Sequence, residues 1–543
     1  MTRYRYRSVI LILALSLLLS LTPAGCAPSS QGGPSEPEIT GNTNLGAPRA
    51  DTYAVDDIFS LNYSHEAGFN PIWTRSGHNL LIIPLMFEPL FEVDENMEAQ
   101  PVLCTSWKSE DGISWFFDID PTRQMHDGST LSASDAYYTI LRAQQDTKYR
   151  DRLSIIKGIS PMSESQLAVT LQYANFQFPA LLNIPIMKSG TGDMFAPIGT
   201  GPYAMAETED RLVAFPQHPS YDSLPIDVFY LKEFTRAEDL ILAYEDSEID
   251  LVTNDPTGMS NLGYGSANEV RDFPTTNLHY LGFNLEKPTG YRNALTYIIN
   301  RSYITTDLMG GRGVAVTLPM LPTSKYYNAA YARLFEFNAE KFVDALISEG
   351  IEDFDNDGFL EYKITGVPVE MNINFIVNNE SAVKVAAARD ITARLRQAGI
   401  TVTLRELPFA DYLVALEERD FDMYYAEVKL TADFSLIQLL APKGPLNYGG
   451  VGDASYETHI HAYLEAPEEN RKFAADFMLR HIVDTAPIIP IAFEKQELLT
   501  HADIVTGIRP TQYNVFHNIT NWRIDLASNP YRGRAVESEE AGE

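Results

Sequence analysis

The chain has 543 residues, too many for one ordinary core, so two or three domains are expected. It is 45% hydrophobic, 11% aromatic and 21% charged, which excludes disorder for most of its length. A net charge of −32 argues against a nucleic-acid partner, since no surplus of Lys and Arg exists to displace counterions. The two cysteines, Cys26 and Cys104, exclude a disulfide framework and a Cys-based zinc cluster.

Residues 1–25 read as an export signal. Arg3, Arg5 and Arg7 form a basic start, and Val9–Leu21 is an apolar run short for a bilayer span. The run ends in Leu21-Thr22-Pro23-Ala24-Gly25-Cys26, which resembles a bacterial lipobox with Pro23 where Leu is usual. That resemblance implies a lipidated Cys26 as the mature N-terminus; the alternative is an ordinary signal peptide with an incidental cysteine. Two acyl chains there give stable membrane anchoring where one is marginal. Residues 26–50 continue as a Pro-, Gly- and Ser-rich tether, and 529–543 is a polar tail.

Between these ends strands alternate with amphipathic helices, the pattern of an α/β protein. Asn79–Phe91 is mostly apolar and contains Phe87-Glu88-Pro89-Leu90. In Thr105–Arg142, Ile113, Trp115, Phe117 and Ile119 alternate with polar or outward residues as a half-buried strand. Asp127-Gly128 makes a turn, Ser132 and Asp135 have capping-box spacing, and Ala133, Ala136, Tyr137 and Ile140 share a helix face. Gly199-Thr200-Gly201-Pro202-Tyr203 reads as a rigid turn before a strand; no Gly-Lys-Ser/Thr follows, so it is not a P-loop. Leu281–Asn284 ends a strand, and a helix over Arg292–Arg301 buries Ala294, Leu295, Ile298 and Ile299. Ala382–Ala398 is the clearest helix, closed by Gly399, and Ile400, Val402 and Leu404 begin a strand. Phe421-Asp422-Met423 enters another strand. Glu468–Asp484 is a helix, and Pro487–Ile491 a strand.

Several of these blocks together resemble the family 5 extracellular solute-binding proteins, the oligopeptide, dipeptide and nickel receptors of ABC importers. The carriers are Trp107, Asp111-Gly112, His126-Asp127-Gly128, Leu131-Ser132-Ala133, Asp135, the Glu88 segment, Gly199–Tyr203, Phe283-Asn284, Phe421–Met423 and the Pro487–Ile491 strand. They keep the family's order from about Leu80 to Trp522. The resemblance implies a two-lobe, type II periplasmic-binding-protein fold with an extra third domain and a ligand cleft between the lobes. Lobe I would comprise 51–90, 186–280 and 486–528, the extra domain 91–185, and the other lobe 281–485, with crossing strands as hinge. It implies a monomeric lipoprotein that delivers peptides, or a related solute, to permease subunits outside the cytoplasmic membrane. No enzymatic activity and no cofactor are expected.

Candidate ligand residues follow from the same resemblance. Ala432-Asp433-Phe434 matches the segment whose aspartate holds a peptide's α-ammonium, so Asp433, Phe434 and Glu88 are assigned to the substrate. Here Leu430-Thr431 replaces a frequent Trp, and Ser435-Leu436 an Asp-Pro. A solvated loop aspartate, or one capping a helix near Ser435, is the structural alternative. Asp353-Phe354-Asp355-Asn356-Asp357-Gly358 begins like a calcium loop, but its twelfth position is Ile364 instead of Glu, so it reads as a plain acidic turn. His459-Ile460-His461 would put two imidazoles on one strand face; with no third ligand at recognisable spacing they are not assigned to a metal. His126 and Cys104 read as structural. There is no G-x-S-x-G, H-E-x-x-H or Walker motif. Two other readings stay open: the same fold carrying nickel, haem or another solute, and a signalling or adhesion lipoprotein without transport.

Overall fold

A computed structural model describes residues 58–256, 262–264, 268–287 and 291–526. The expected signal, Cys26, the tether and the 529–543 tail lie outside them. Among the described residues, no helix is long and apolar enough to cross a membrane.

The strand–turn–helix stretch folds as its pattern dictates. Ser114–Ile119 alternates half-buried and buried residues, and the helix Ala133–Ala143 buries Ala133, Ala136 and Ile140. Ser132 starts it with both its N–H and its hydroxyl donating to Asp135 Oδ2, at 2.9 and 2.7 Å. In the turn before it, His126 Nε2 lies 3.0 Å from Gly201 O, and burial drives its imidazolium down to about 4, a structural role. The strand joins an antiparallel four-stranded sheet in the order Cys104–Lys108, Ser114–Ile119, Gln166–Leu171, Ile156–Pro161. Trp115, Phe117 and Phe178 pack beneath it. Cys104 is buried there, a small hydrophobe whose thiol burial pushes up to about 12.

A larger eleven-stranded sheet carries the rest. Its centre is the antiparallel pair Asn268–Phe283 and Ile488–His501, whose register shifts between Pro274 and Leu278 and again between His279 and Tyr280. On one side of this pair lie Leu251–Asn254, Phe59–Asn62 and Val228–Lys232; on the other lie Met423–Lys429, Asn372–Asn378 and Thr401–Leu407. The helix Ala382–Gln397 covers the latter strands through Val385, Ala388, Ile391 and Leu395, and Gly399 ends it at φ +85°.

Two expectations are corrected. The helix over Arg292–Arg301 is broken into Arg292–Leu295 and Arg301–Tyr303. Arg301 is buried, and its guanidinium takes Thr296 O at 3.0 Å and Pro490 O at 2.8 Å. A buried cation needs acceptors, and here it draws a carbonyl from the chain just before it. His459 and His461 lie on the helix Ser455–Glu465, not a strand, so residues two apart diverge. His459 stacks on His481 at 4.3 Å, whereas His461 packs against Tyr173 at 4.4 Å.

The two glycines of Gly199–Tyr203 are required by close backbone approach. A Cβ at Gly199 would lie 2.1 Å from Met86 O, and one at Gly201 2.4 Å from Leu85 O. Gly201→Ala is therefore expected to lower stability by about 1–3 kcal/mol through overpacking, read as a lower urea midpoint in circular dichroism.

Candidate functional site

Asp433 lies just beyond the strand Met423–Lys429. Leu430 fixes the chain there, its N–H donating to Thr276 O at 2.9 Å while its carbonyl accepts the Thr276 hydroxyl at 2.6 Å. A turn closed by Phe434 N–H on Thr431 O follows, with Phe434 at φ +51°. A non-glycine residue there costs of order 1–3 kcal/mol, and such strain gathers at ligand sites.

The turn places Asp433 inward, 2% exposed. Its carboxylate accepts Thr431 Oγ1 at 2.5 Å, Asn175 Nδ2 at 3.0 Å and Ser435 N at 3.2 Å. Burial raises its pKa against the effect of those hydrogen bonds. The helix that follows begins at Ile437, so the bond to Ser435 closes a turn without capping a helix. Asn175 follows the strand Gln166–Leu171 and is held by its own N–H on Gly112 O at 3.0 Å. Gln177 Nε2 reaches Asp433 O at 3.5 Å, and Phe176 N–H donates to Leu464 O at 2.9 Å. The four-stranded layer and the segment carrying Asp433 thus meet at this carboxylate.

A cavity of about 100 Å³ opens beside it, lined by Arg152, Tyr173, Asn175, Lys429, Asp433 and Gln438 among others. Arg152 Nη2 donates to Asn183 O at 2.8 Å, and its buried Nε has no hydrogen-bond partner. Burial lowers the pKa of both Arg152 and Lys429, and for Lys429 the Arg152 charge adds to the effect. Burial and then the Asp433 charge push the Tyr173 hydroxyl up to about 12. The gap therefore has a carboxylate on one wall and two reluctant cations on another. At about 100 Å³ it is well below the ~300–1,000 Å³ of small-ligand sites.

Of the residues assigned from sequence, only Asp433 lines this gap. Phe434 is buried among apolar residues, edge-on to Phe493 at 6.3 Å. Glu88 lines a different cavity, of about 230 Å³, with Glu92, His218 and Asn514. There its Oε1 is met by Arg123 at 3.4 Å and by His218 Nε2 at 3.2 Å. Arg152, Asn175 and Gln177 were missed from sequence. The polar Asn175 and Gln177 within Tyr173-Ala174-Asn175-Phe176-Gln177-Phe178, where an aromatic run would otherwise bury, were the available signal.

One metal-capable group lies on the central strands, where His279, Glu427 and Glu494 offer atoms within 4.8 Å of one another. It is already bonded internally: His279 Nε2 meets Glu494 Oε1 at 2.7 Å and Lys384 Nζ meets Glu427 Oε2 at 2.6 Å.

Comparison with known proteins fits this geometry. Residues 98–434, more than half the chain, match the bacterial extracellular solute-binding proteins, family 5 middle region. The chain belongs to family 5 of these proteins. It is a substrate-binding protein of the ABC importer class, whose members act outside the cytoplasm. It is 21% identical to the oligopeptide-binding protein AppA of Bacillus subtilis over 385 residues, 66% of this chain and 69% of AppA. It spans about half the length of the putative peptide-binding protein of Brucella ovis that it also matches. The MppA periplasmic murein tripeptide binding protein, in its unliganded open form, superposes with TM-score 0.70 at 16% identity, covering 87% of this chain and 98% of MppA. NikZ from Campylobacter jejuni, in complex with Ni(L-His), gives 0.60 at 19%, covering 86% and 99%. These similarities establish the two-lobe α/β fold.

The raised pKa of Asp433 sets a sign. The unfolded state loses this proton near the ordinary 3.8 and the folded state only at higher pH. Between those points the folded state binds more protons, so this group's contribution to stability falls as pH rises. Asp433→Asn is expected to gain stability relative to the parent from pH 4 towards neutrality, read from ligand-free urea midpoints across that range. A pH-independent difference would contradict the assignment.

Proposed function

We propose that this family 5 protein captures peptides, or related small solutes with an α-ammonium group, beside Asp433. In this reading a lipid anchor on Cys26 holds it at the membrane's outer face, and it hands its cargo to the permease as a monomer. The observation that carries the reading is Asp433 itself: a buried carboxylate held by neutral donors, with no Lys, Arg or His in contact among the described residues. Such a group costs several kcal/mol to desolvate unless a cation meets it. A peptide's N-terminus supplies one, and Arg152 and Lys429 across the gap suit the ligand's carboxylate or carbonyls.

The division into 51–90, 186–280 and 486–528, a second lobe 281–485 and an extra domain 91–185 is part of this proposal. On it, the second lobe contributes Asp433, and the extra domain Arg152, Asn175 and Gln177. The nickel reading has less support, because no histidine is among the residues lining the gap.

Native mass spectrometry of the purified chain should reveal a co-purifying peptide. In calorimetry with that peptide, Asp433→Ala should weaken binding about 100-fold, in line with ~3 kcal/mol for an unpaired buried charge. N-acetylating the peptide should weaken binding to the parent by a similar factor and to Asp433→Ala little further. Equal affinity of the parent for free and acetylated peptide would remove the ammonium–Asp433 contact. Binding of nickel–histidine with no peptide binding would replace peptide as the cargo.

A further inference from the structure

We infer that Lys148, Arg152 and Lys429 form an anion subsite beside Asp433, and that the preferred cargo is a short acidic peptide with a carboxylate side chain near its N-terminus. The inference rests on the gap beside Asp433 being the solute site, and it adds what that site selects. Lys148 and Arg152 come from the segment 146–153, which turns into the helix Arg150–Leu153, and Lys429 ends the strand Met423–Lys429. The buried ring of Tyr149 carries two of the cations, with Lys148 Nζ 4.7 Å and Arg152 Cζ 4.9 Å from its centre. Arg152 and Lys429 line the gap with Asp433, and Lys148 is set back on the ring.

The three lack counter-ions in a chain that has them in excess, with 73 acidic residues to 41 Lys and Arg. Among the described residues none of them is ion-paired. Lys148 Nζ donates to Pro71 O at 2.9 Å and Arg152 Nη2 to Asn183 O at 2.8 Å, while Arg152 Nε has no hydrogen-bond partner. The neighbouring carboxylates are engaged elsewhere. Asp146 takes Arg75 Nη2 on both oxygens at 2.7 Å, Asp151 faces Arg150 at 3.4 Å, and Glu427 meets Lys384 at 2.6 Å. The cations therefore act on one another. Burial and then the Arg75 charge bring Lys148 down to about 8, with Arg152 and Lys429 contributing and Asp146 opposing.

This surplus of positive charge sets the class of solute. A neutral peptide that meets Asp433 with its ammonium brings a single carboxylate to three cations. An acidic residue brings a second, whereas a basic one adds an unpaired like charge to the same space. Carbonyl oxygens alone would leave the mutual repulsion in place. Clefts of one sign concentrate the opposite charge, and the Arg152 guanidinium is a planar fork that suits a carboxylate. In an extended tripeptide, the side chain of the second residue lies nearer the ammonium than the terminal carboxylate does.

Calorimetry on the full purified chain compares Ala-Glu-Ala, Ala-Ala-Ala and Ala-Lys-Ala, each also in N-acetylated form. Ala-Glu-Ala is expected to bind at least about tenfold tighter than Ala-Ala-Ala, and Ala-Lys-Ala more weakly than both. Added salt should narrow the spread. Lys148→Gln and Lys429→Gln should each reduce the acidic preference severalfold, and the double variant should abolish it. Without ligand, Lys429→Gln should keep a urea midpoint no lower than the parent's, because one of three like charges is gone. A lower midpoint with the preference intact would overturn its place in the subsite. Equal affinities for the three free peptides, or a preference unchanged in the double variant, would overturn the subsite itself. The acetylated set keeps the two readings apart. An acidic preference with no acetylation effect would remove the ammonium–Asp433 contact alone, and an acetylation effect with no acidic preference would remove the subsite alone. Heat from none of the six peptides would overturn the subsite.

Discussion

A buried strand must find partners for every backbone N–H and C=O along its length, and this requirement makes Asn268–Phe283 and Ile488–His501 the spine of the molecule. They pair with each other while each serves a different flank of the large sheet, Leu251–Asn254 on one side and Met423–Lys429 on the other. The register shifts near Pro274–Tyr280 leave the pairing locally irregular, which is where a pair of long strands bends most easily. His279 and Glu494 join side chains across this stretch at 2.7 Å. That buried hydrogen bond ties the two strands together across the irregular stretch. The positions of Thr276, Leu430 and hence Asp433 follow from it.

Local and long-range information divide cleanly in this chain. The Ser114–Ile119 strand and the Ser132 cap were readable because their causes lie within a few residues. The Gly199–Gly201 turn was readable as a turn, but not its reason, since the crowding atoms belong to Leu85 and Met86. His459-Ile460-His461 deceived because three residues cannot separate a period of two from one of 3.6. Arg301 broke its helix through a bond to Pro490, nearly two hundred residues away. Asn175 faces Asp433 across 258 positions, a pairing that no local pattern announces.

The state of Asp433 bears on how a binding protein avoids reporting an empty cleft. A permease that responds to closure needs the closed, empty form to be unfavourable, and a ligand shifts the balance only through its differential affinity for the two forms. Closing the walls around Asp433 without a cation leaves its charge desolvated, and the one amide that crosses to it, Asn175 Nδ2, offers a neutral hydrogen bond. Arg152 Nη2 is taken instead by Asn183 O, at 2.8 Å. An arriving ammonium would offset in the closed form a penalty that the open, hydrated form never carries. In the proposed reading the same carboxylate would serve both affinity and the suppression of empty closure. Protonation would remove both, so acidity should favour an empty molecule that looks loaded.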